Sequence, residues 1–188
     1  MMPRKIIVAV TGASGSIYAK HLLNKLSSLK KELIKVSLII SDSGKKVWEY
    51  EIGEIDISSN IQLYSNDNYF APVASGSAGF ESMVIIPCTM GTLGRIASGT
   101  SDDLISRAAD VMLKERRKLV LVTREAPLNI IHIENMKMIT LAGGIIYPAS
   151  PSFYSKPSNK EELELTVVNR VLDIIGFESD MFRWGDKV

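Results

Sequence analysis

The chain has 188 residues, of which 46% are hydrophobic and 23% are charged. This composition is typical of one compact domain over residues 1–188 and excludes a disordered chain. Its 22 Lys and Arg residues balance 21 Asp and Glu residues to a net charge of +1. No overall field therefore attracts a nucleic acid or an anionic membrane, and any anion has to be bound locally.

Apolar runs that end in polar loops alternate with helical patterns along the chain. The first run, Lys5–Val10, leads into a Gly-rich loop at 11–16, and leucines at helical spacing follow. Similar runs follow at Val36–Ile40, Met83–Ile86, Leu119–Val122 and Ile145–Tyr147. Strands that are apolar throughout indicate a sheet covered on both faces. The pattern predicts a three-layer α/β/α fold with a mostly parallel sheet, similar to a Rossmann fold.

Two later helices have recognisable ends. Thr100 and Ser101 are predicted to cap one helix, which has two aspartates in its first turn and basic residues at its end. The last helix is predicted over about 159–175 and ends at Gly176. The segment 51–80 is the least regular part of the chain, and no element is predicted there.

The loop after the first strand is a candidate anion site. Ligands of open parallel sheets bind beyond the carboxyl ends of the strands, where helix N-termini present free N–H groups. Gly12 and Gly15 allow close backbone approach, and the hydroxyls of Ser14 and Ser16 can bind a phosphate. The same residues also suit an ordinary turn. Tyr18 stands where the dinucleotide fingerprint requires its third glycine, and this disfavours classical NAD chemistry.

Charged residues elsewhere suggest a second part of a site. Arg124 and Glu125 follow a predicted strand, where Arg can bind a phosphate and Glu can move a proton, although a surface ion pair is the alternative. Lys114 lies at a predicted helix end, where a lysine is more often a solvated side chain than a ligand. Tyr154 and Arg170 could complete an anion pocket, or they could be ordinary surface residues.

The cysteine and histidine counts exclude several kinds of site. The single cysteine, Cys88, cannot form an intramolecular disulfide and is interpreted as structural, and His21 and His132 receive no role. Three such residues are too few for a closed zinc or iron–sulfur site. The first strand is too short for a signal sequence or a spanning helix. We therefore expect a cytoplasmic protein without a metal.

Taken together, the motifs resemble those of the UbiX-type flavin prenyltransferases. The matching segments are Thr11–Gly15, Ala71–Ser77, Pro87–Leu93, Arg107–Val111, Leu113–Arg117, Arg124–Leu128, His132–Met136 and Pro148–Tyr154. The resemblance implies a flavoprotein that transfers a dimethylallyl group from dimethylallyl phosphate to N5 and C6 of reduced FMN. The product, prenylated FMN, serves UbiD-type decarboxylases. The resemblance also implies a homo-oligomer, a dodecamer as in the family, with sites completed at subunit contacts.

The resemblance also assigns residues by position. The FMN contacts it implies are Gly12, Ala13, Ser14, Ser41, Thr89, Met90, Gly91, Thr92, Arg107 and Arg124. The residues it implies around the dimethylallyl phosphate are Lys114, Arg124, Glu125, Tyr154 and Arg170. Glu125, Ser14 and Lys114 are the catalytic candidates, with cationic side chains in place of a metal.

Two other functions are weighed against this one. A flavin-dependent cysteine decarboxylase is expected to carry a Pro-x-Met-Asn element, which the chain lacks. A flavin carrier without catalysis would need only the Gly-Ser loop. The choice between monophosphate and diphosphate donor stays open, because Lys and Arg clusters bind both.

Overall fold

The computed structural model of the protein describes residues 4–29, 33–179 and 181–185. The strands are β1 (Arg4–Val10), β2 (Leu33–Ile40), β3 (Ile61–Ser65), β4 (Ser82–Cys88), β5 (Lys118–Thr123) and β6 (Ile145–Pro148). The α-helices are α1 (Ser16–Ser28), α2 (Asp42–Ile52), α3 (Met90–Ala97), α4 (Leu104–Lys114), α5 (Ile130–Leu141) and α6 (Lys160–Ile174). Within these ranges, every helix is too short or too polar to cross a bilayer.

The strands form one parallel sheet in the order β3-β2-β1-β4-β5-β6. From β1 the chain runs outward to β3 on one side, and from β4 it runs outward to β6 on the other. The carboxyl ends of β1 and β4 therefore lie side by side at the switch point, where open α/β sheets bind ligands. The predicted parallel sheet is confirmed.

Alternate residues of the central strands fill two separate cores. In β1, Ile6, Val8 and Val10 pack in the core that α1, α2 and α6 cover, whereas Ile7 and Ala9 pack in the core under α3 and α4. All five side chains are fully buried. Helices cover both faces of the sheet, so the predicted three layers are confirmed, and the central strands β1, β4 and β5 are apolar over most of their length for this reason.

Helix α2 begins directly against the backbone of β1. The Ser41 amide donates to the Val10 carbonyl at 3.0 Å. A β-carbon added at Gly44 would lie 2.7 Å from the same oxygen, so this turn of the helix requires glycine. The close approach brings the N-terminus of α2 next to the loop that follows β1.

Two elements differ from the sequence-based expectation. Strand β3 lies in the segment 51–80, where no element is predicted, because Ile61 is its one buried residue and the strand carries no clear alternation. Helix α4 is capped by Asp103 rather than by Thr100 or Ser101. The Asp103 carboxylate accepts from the Ser106 amide at 2.7 Å, and the Ser106 hydroxyl accepts from the Asp103 amide at 3.2 Å. This capping box satisfies two free amide groups at once.

Candidate functional site

Hydrogen bonds join the loops at the carboxyl edge of the sheet. The Thr11 hydroxyl donates to the Pro87 carbonyl at 2.8 Å and accepts from the Thr89 amide at 2.9 Å. The Arg124 amide donates to the Cys88 carbonyl at 3.3 Å. The loops after β1, β4 and β5 are thereby held against one another. The sequence-predicted residues from Gly12 to Ser14, from Thr89 to Thr92, and Arg124 all belong to these loops or to the helix turn that follows.

Two helix N-termini open toward this edge. Ser41 caps α2 by accepting from the Gly44 amide at 3.0 Å, and its hydroxyl lies 3.2 Å from that of Ser43. Thr89 caps α3 by accepting from the Thr92 amide at 3.1 Å. Each cap leaves further N–H groups of the first turn without a helical acceptor. Hydroxyls and free amides together suit an anionic group.

The N-terminus of α1 is different, because an internal carboxylate already occupies it. Gly15 begins the helix without a side-chain cap of its own. Glu51 of α2 accepts instead from the Ser16 amide at 2.9 Å and from the Gly15 amide at 3.0 Å. Partial burial raises the pKa of Glu51, but the hydrogen bonds from Ser14, Ser16 and Gly15 lower the pKa by more in sum. Because this carboxylate already occupies the N-terminus of α1, a bound anion is expected at the N-termini of α2 and α3 instead.

A cleft of about 920 Å³ lies between the start of α1 and the start of α6. Ser14, Glu51 and Arg124 share its lining. Deeper in the cleft, His21 Nε2 lies 3.0 Å from Glu164 Oε2, with each side chain less than one sixth exposed. This pair ties α1 to α6, so His21 has a structural partner.

A second cleft, of about 810 Å³, contains Tyr154 and Arg170. Tyr154 stacks on Phe182 at 6.1 Å between ring centroids and meets Trp184 edge to face at 5.5 Å. Phe182 and Trp184 in turn lie 6.2 Å apart. Three aromatic rings therefore form one wall of a cleft that also holds a guanidinium group.

The two clefts adjoin along α1 and α6, because Asn24 and Glu161 line the first and their chain neighbours Lys25 and Glu162 line the second. Tyr18 lines the first cleft and Tyr147 lines the second. Burial raises the pKa of Tyr18, Glu164 raises it further and the charge of Arg124 opposes the shift. Burial also raises the pKa of Tyr147, which the charge of Arg170 opposes and Tyr18 augments. Arg124 thus acts on the phenol of the first cleft and Arg170 on the phenol of the second, and Tyr18 acts on Tyr147.

One sequence-predicted residue, Lys114, is separated from this site within one copy of the chain. Lys114 ends α4 at the amino edge of the sheet and pairs with Glu115. Strand β5 runs from that edge to Arg124, a distance of about 20 Å at 3.3 Å per residue. Arg107 lies on α4, where its guanidinium donates to the Ala74 carbonyl at 3.2 Å and to Asp110 at 3.0 Å. One copy of the chain does not bring Lys114 to Arg124.

Glu125 and Cys88 have contrasting surroundings. Glu125 is exposed, and its carboxylate accepts from the adjacent Ala126 amide at 3.1 Å. Among the described residues, the geometry gives no ion pair between Glu125 and Arg124, so the surface-pair alternative has no support there. Cys88 is fully buried, and this burial raises the pKa of its thiol to about 12. The structural interpretation of Cys88 agrees with this environment.

Three residues of the clefts receive no role from the sequence. Glu51 lies in the segment that shows no regular pattern, and its contacts with the Gly15 and Ser16 amides join the end of α2 to the start of α1. Phe182 and Trp184 belong to a short aromatic and basic tail. Large aromatic residues that follow the last predicted helix were the one sequence feature that could have indicated a role for this tail.

Helix α5 exposes a large apolar surface. Ile130, Ile131, Met138 and Leu141 are each more than half exposed, and Ile139 is the buried residue of the helix. Leu128, in the loop that carries Arg124 and Glu125, continues this surface. Contiguous apolar surface of this kind is typical of a protein interface.

The fold and these clefts define a flavin-binding α/β protein, and comparison with known proteins agrees. The flavoprotein family model matches residues 1–175. The flavin prenyltransferase UbiX of Methanocaldococcus jannaschii is 48% identical over 186 residues, which cover 96% of this chain and 98% of the relative. The chain belongs to the flavoprotein family and, within it, to the UbiX flavin prenyltransferases.

Two solved structures are similar over nearly the whole chain. The complex of AnUbiX (PadA1) with FMN and dimethylallyl pyrophosphate has a TM-score of 0.88 and 40% identity, and the match covers 97% of each chain. A dodecameric FMN-dependent UbiX-like decarboxylase from Escherichia coli has a TM-score of 0.90 and 38% identity, with 96% of this chain and 98% of the other covered.

Proposed function

We propose that the protein transfers a dimethylallyl group from dimethylallyl phosphate to N5 and C6 of reduced FMN and so supplies prenylated FMN to UbiD-type decarboxylases. Membership in the UbiX family and the ligands of AnUbiX support this function. The observation that carries it is the meeting of two clefts. An aromatic cleft with Arg170 adjoins the cleft of Ser14 and Arg124, so a prenyl donor and a flavin can lie side by side.

The loops at the switch point fit FMN by the chemistry of their donors. The hydroxyls of Ser41 and Ser43 and the first-turn amides of α2 would hold the phosphate. Gly12, Ala13 and Ser14 would hold the flavin on one side, and Thr89, Met90, Gly91 and Thr92 on the other, with Arg107 and Arg124 as further contacts. Reduced FMN supplies the nucleophilic N5 and C6. The protein has to hold the ring beside the donor and exclude water.

The aromatic cleft suits a dimethylallyl phosphate. Breaking the allylic C–O bond leaves negative charge on the phosphate, which Arg170, Arg124 and the Tyr154 hydroxyl can stabilise. The carbon fragment develops positive charge, which the faces of Phe182 and Trp184 can stabilise by cation–π attraction. Cationic side chains would thus stabilise the negative charge of the leaving phosphate, as a metal ion does in other phosphate chemistry.

Two carboxylates, Glu125 and Glu51, are the candidates for proton transfer. Bonding one dimethylallyl group to both N5 and C6 requires a proton to be added to its double bond and a proton to be removed from C6. Glu125, an exposed carboxyl group next to Arg124, can exchange these protons. Ser14 and Glu51 line the same cleft, and this pair can move a proton between the flavin side of the cleft and solvent. The lowered pKa keeps Glu51 ionised at neutral pH, so a proton that reaches it passes on to solvent.

A second copy of the chain would complete the site. Lys114 lies at the opposite edge of the sheet from Arg124, so we infer that it reaches the donor phosphate of a neighbouring copy. The exposed apolar surface of α5 and Leu128 borders the loop of Arg124 and offers a face for assembly. The similar Escherichia coli protein is dodecameric, and we propose a homo-oligomer, a dodecamer, for this chain.

The decisive assay mixes the protein, reduced FMN and dimethylallyl phosphate without oxygen. The expected product is a flavin whose mass has increased by one dimethylallyl group. Glu125→Gln should lose turnover and keep FMN binding, whereas Glu49→Gln, an exposed control on α2, should behave as the wild type. Unmodified flavin with active-site occupancy confirmed would refute the proposal. Equal turnover in wild type and Glu125→Gln would remove the assigned role of Glu125.

A further inference from the structure

One carboxylate links the predicted donor site to the end of the described chain. Arg170 Nη1 donates to Asp173 Oδ2 at 2.6 Å, and Arg183 Nη2 donates to Asp173 Oδ1 at 2.7 Å. The two guanidinium groups thus use different oxygens of the same side chain. About one fifth of the Asp173 side chain is exposed, against nearly one half of each arginine.

The partners of Asp173 belong to two different walls of the aromatic cleft. Arg170 lies one turn before Asp173 on α6 and lines the cleft directly. Arg183 lies between Phe182 and Trp184, which form the aromatic wall with Tyr154. Fixing the guanidinium of Arg183 therefore fixes the backbone between the two rings.

A second contact on α6 directs the tail toward the same place. The Ser179 hydroxyl donates to the Asn169 carbonyl at 2.9 Å, one residue before Arg170. Beyond Ser179, the ion pair of Arg183 with Asp173 returns the chain to the helix. A single exposed ion pair stabilises weakly, but one carboxylate that orients two groups of the same cleft affects the geometry of both.

We propose that Asp173 is a positioning residue for the prenyl donor, because it orients Arg170 toward the donor phosphate and holds Phe182 and Trp184 against Tyr154. This inference rests on the proposed function, since it assigns the aromatic cleft to the donor. Asp173 itself does not touch the reacting atoms. Its loss should weaken donor binding more than it slows the bound reaction, and it should leave FMN binding unchanged.

The first measurement tests whether Asp173 holds the segment 181–185 in place, and it does not depend on enzyme activity. Trypsin cleaves after Arg183 only when this side chain is accessible, and the ion pair with Asp173 restrains it. Asp173→Asn keeps the shape of the side chain and removes its charge, so cleavage after Arg183 should become several-fold faster, as followed by mass spectrometry of the intact chain. Asp173→Glu should restore slow cleavage in part. The control is Glu81→Gln, which breaks a carboxylate–arginine pair with Arg4 far from the cleft and should cleave as the wild type.

The second measurement separates donor binding from turnover. In Asp173→Asn, KM for dimethylallyl phosphate should rise about tenfold, whereas kcat at saturating donor and the Kd for FMN should stay within about threefold of the wild type. Arg183→Gln should raise the same KM, and the double variant should be less impaired than the two single effects combined, because both substitutions break one contact.

The outcomes distinguish this inference from the function on which it rests. A wild-type protein that does not prenylate FMN refutes the proposed function, while the trypsin comparison still tests the Asp173 contact. Unchanged cleavage after Arg183 in Asp173→Asn overturns the inference. So does an unchanged KM in an active enzyme, or an equal loss of donor and FMN binding, which indicates general damage to the fold.

Discussion

Glu51 is the structural residue whose removal we expect to be most informative. Helix α1 has no side-chain cap at Gly15, and the Glu51 carboxylate accepts from the first two amides, of Gly15 and Ser16, in place of a local cap. Glu51→Ala leaves both amides to solvent and removes a negative charge from the positive end of the helix dipole. Glu51→Gln keeps one acceptor oxygen and removes only the charge.

The magnitudes follow from these contacts. Loss of a helix cap costs about 1 kcal/mol, and loss of the charge at an exposed helix N-terminus costs about 0.3–1 kcal/mol. We expect Glu51→Ala to lower the free energy of unfolding by about 1–1.5 kcal/mol and Glu51→Gln by about 0.5 kcal/mol. For a chain of this size, 1 kcal/mol corresponds to about 2–4 °C in Tm.

The sign of the pH dependence follows from the lowered pKa of Glu51. The folded state favours the ionised carboxylate, so its stabilisation is complete above the ordinary value of 4.5 and is lost as pH falls through the lower folded pKa. The Tm difference between the wild type and Glu51→Gln should therefore be present at pH 7 and shrink in acid.

Differential scanning fluorimetry at equal protein concentration measures these differences, because the stability of an oligomer depends on concentration. Glu49→Ala, a neighbouring exposed glutamate on α2, is the matched control and should leave Tm unchanged. A Tm of Glu51→Ala equal to that of the control would show that solvent caps α1 equally well. A difference that grows in acid would refute the ionised state of Glu51.

Three further predictions test other parts of the fold. Gly44→Ala should lower the free energy of unfolding by about 1–3 kcal/mol in urea titrations, because its β-carbon would meet the Val10 carbonyl; a smaller change would mean that α2 shifts freely. Cys88, buried and with its pKa raised to about 12, should resist iodoacetamide at pH 8 and react once guanidinium unfolds the chain; rapid labelling of the folded protein would contradict its burial. Ile131→Asp, on the apolar surface of α5, should reduce the mass measured by light scattering, whereas Lys137→Gln should not; an unchanged mass would exclude this face from assembly.

The sequence predicts the layers of this fold because the strands are buried on both faces. The runs at Lys5–Val10 and Leu119–Val122 are apolar at every or nearly every position, and each reappears inside an observed strand. Strand β3 lies at the edge of the sheet and buries one residue, Ile61, so it has no such run. An edge strand buries fewer side chains, so its sequence needs fewer apolar residues and is harder to recognise as a strand.

The candidate site is predictable where its residues follow strands. Ser14, Thr89 and Arg124 lie in loops that the parallel sheet must bring to one edge, and the structure places them there. The carboxylate of Glu51 reaches the same edge through the packing of α2 against α1, which no local pattern encodes. Trp184 arrives from a tail beyond the last predicted helix, and only the fold shows which cleft it lines.

The proposed site between copies would allow two inactive copies of this protein to form an active assembly, because each would supply the residue that the other lacks. Lys114 and Glu125 lie at opposite ends of β5, so a site built between copies takes them from different chains. Mixed oligomers of Lys114→Ala and Glu125→Gln chains would then contain some sites in which both residues are wild type. Two inactive genes expressed together would complement each other, which a site contained in one chain cannot do.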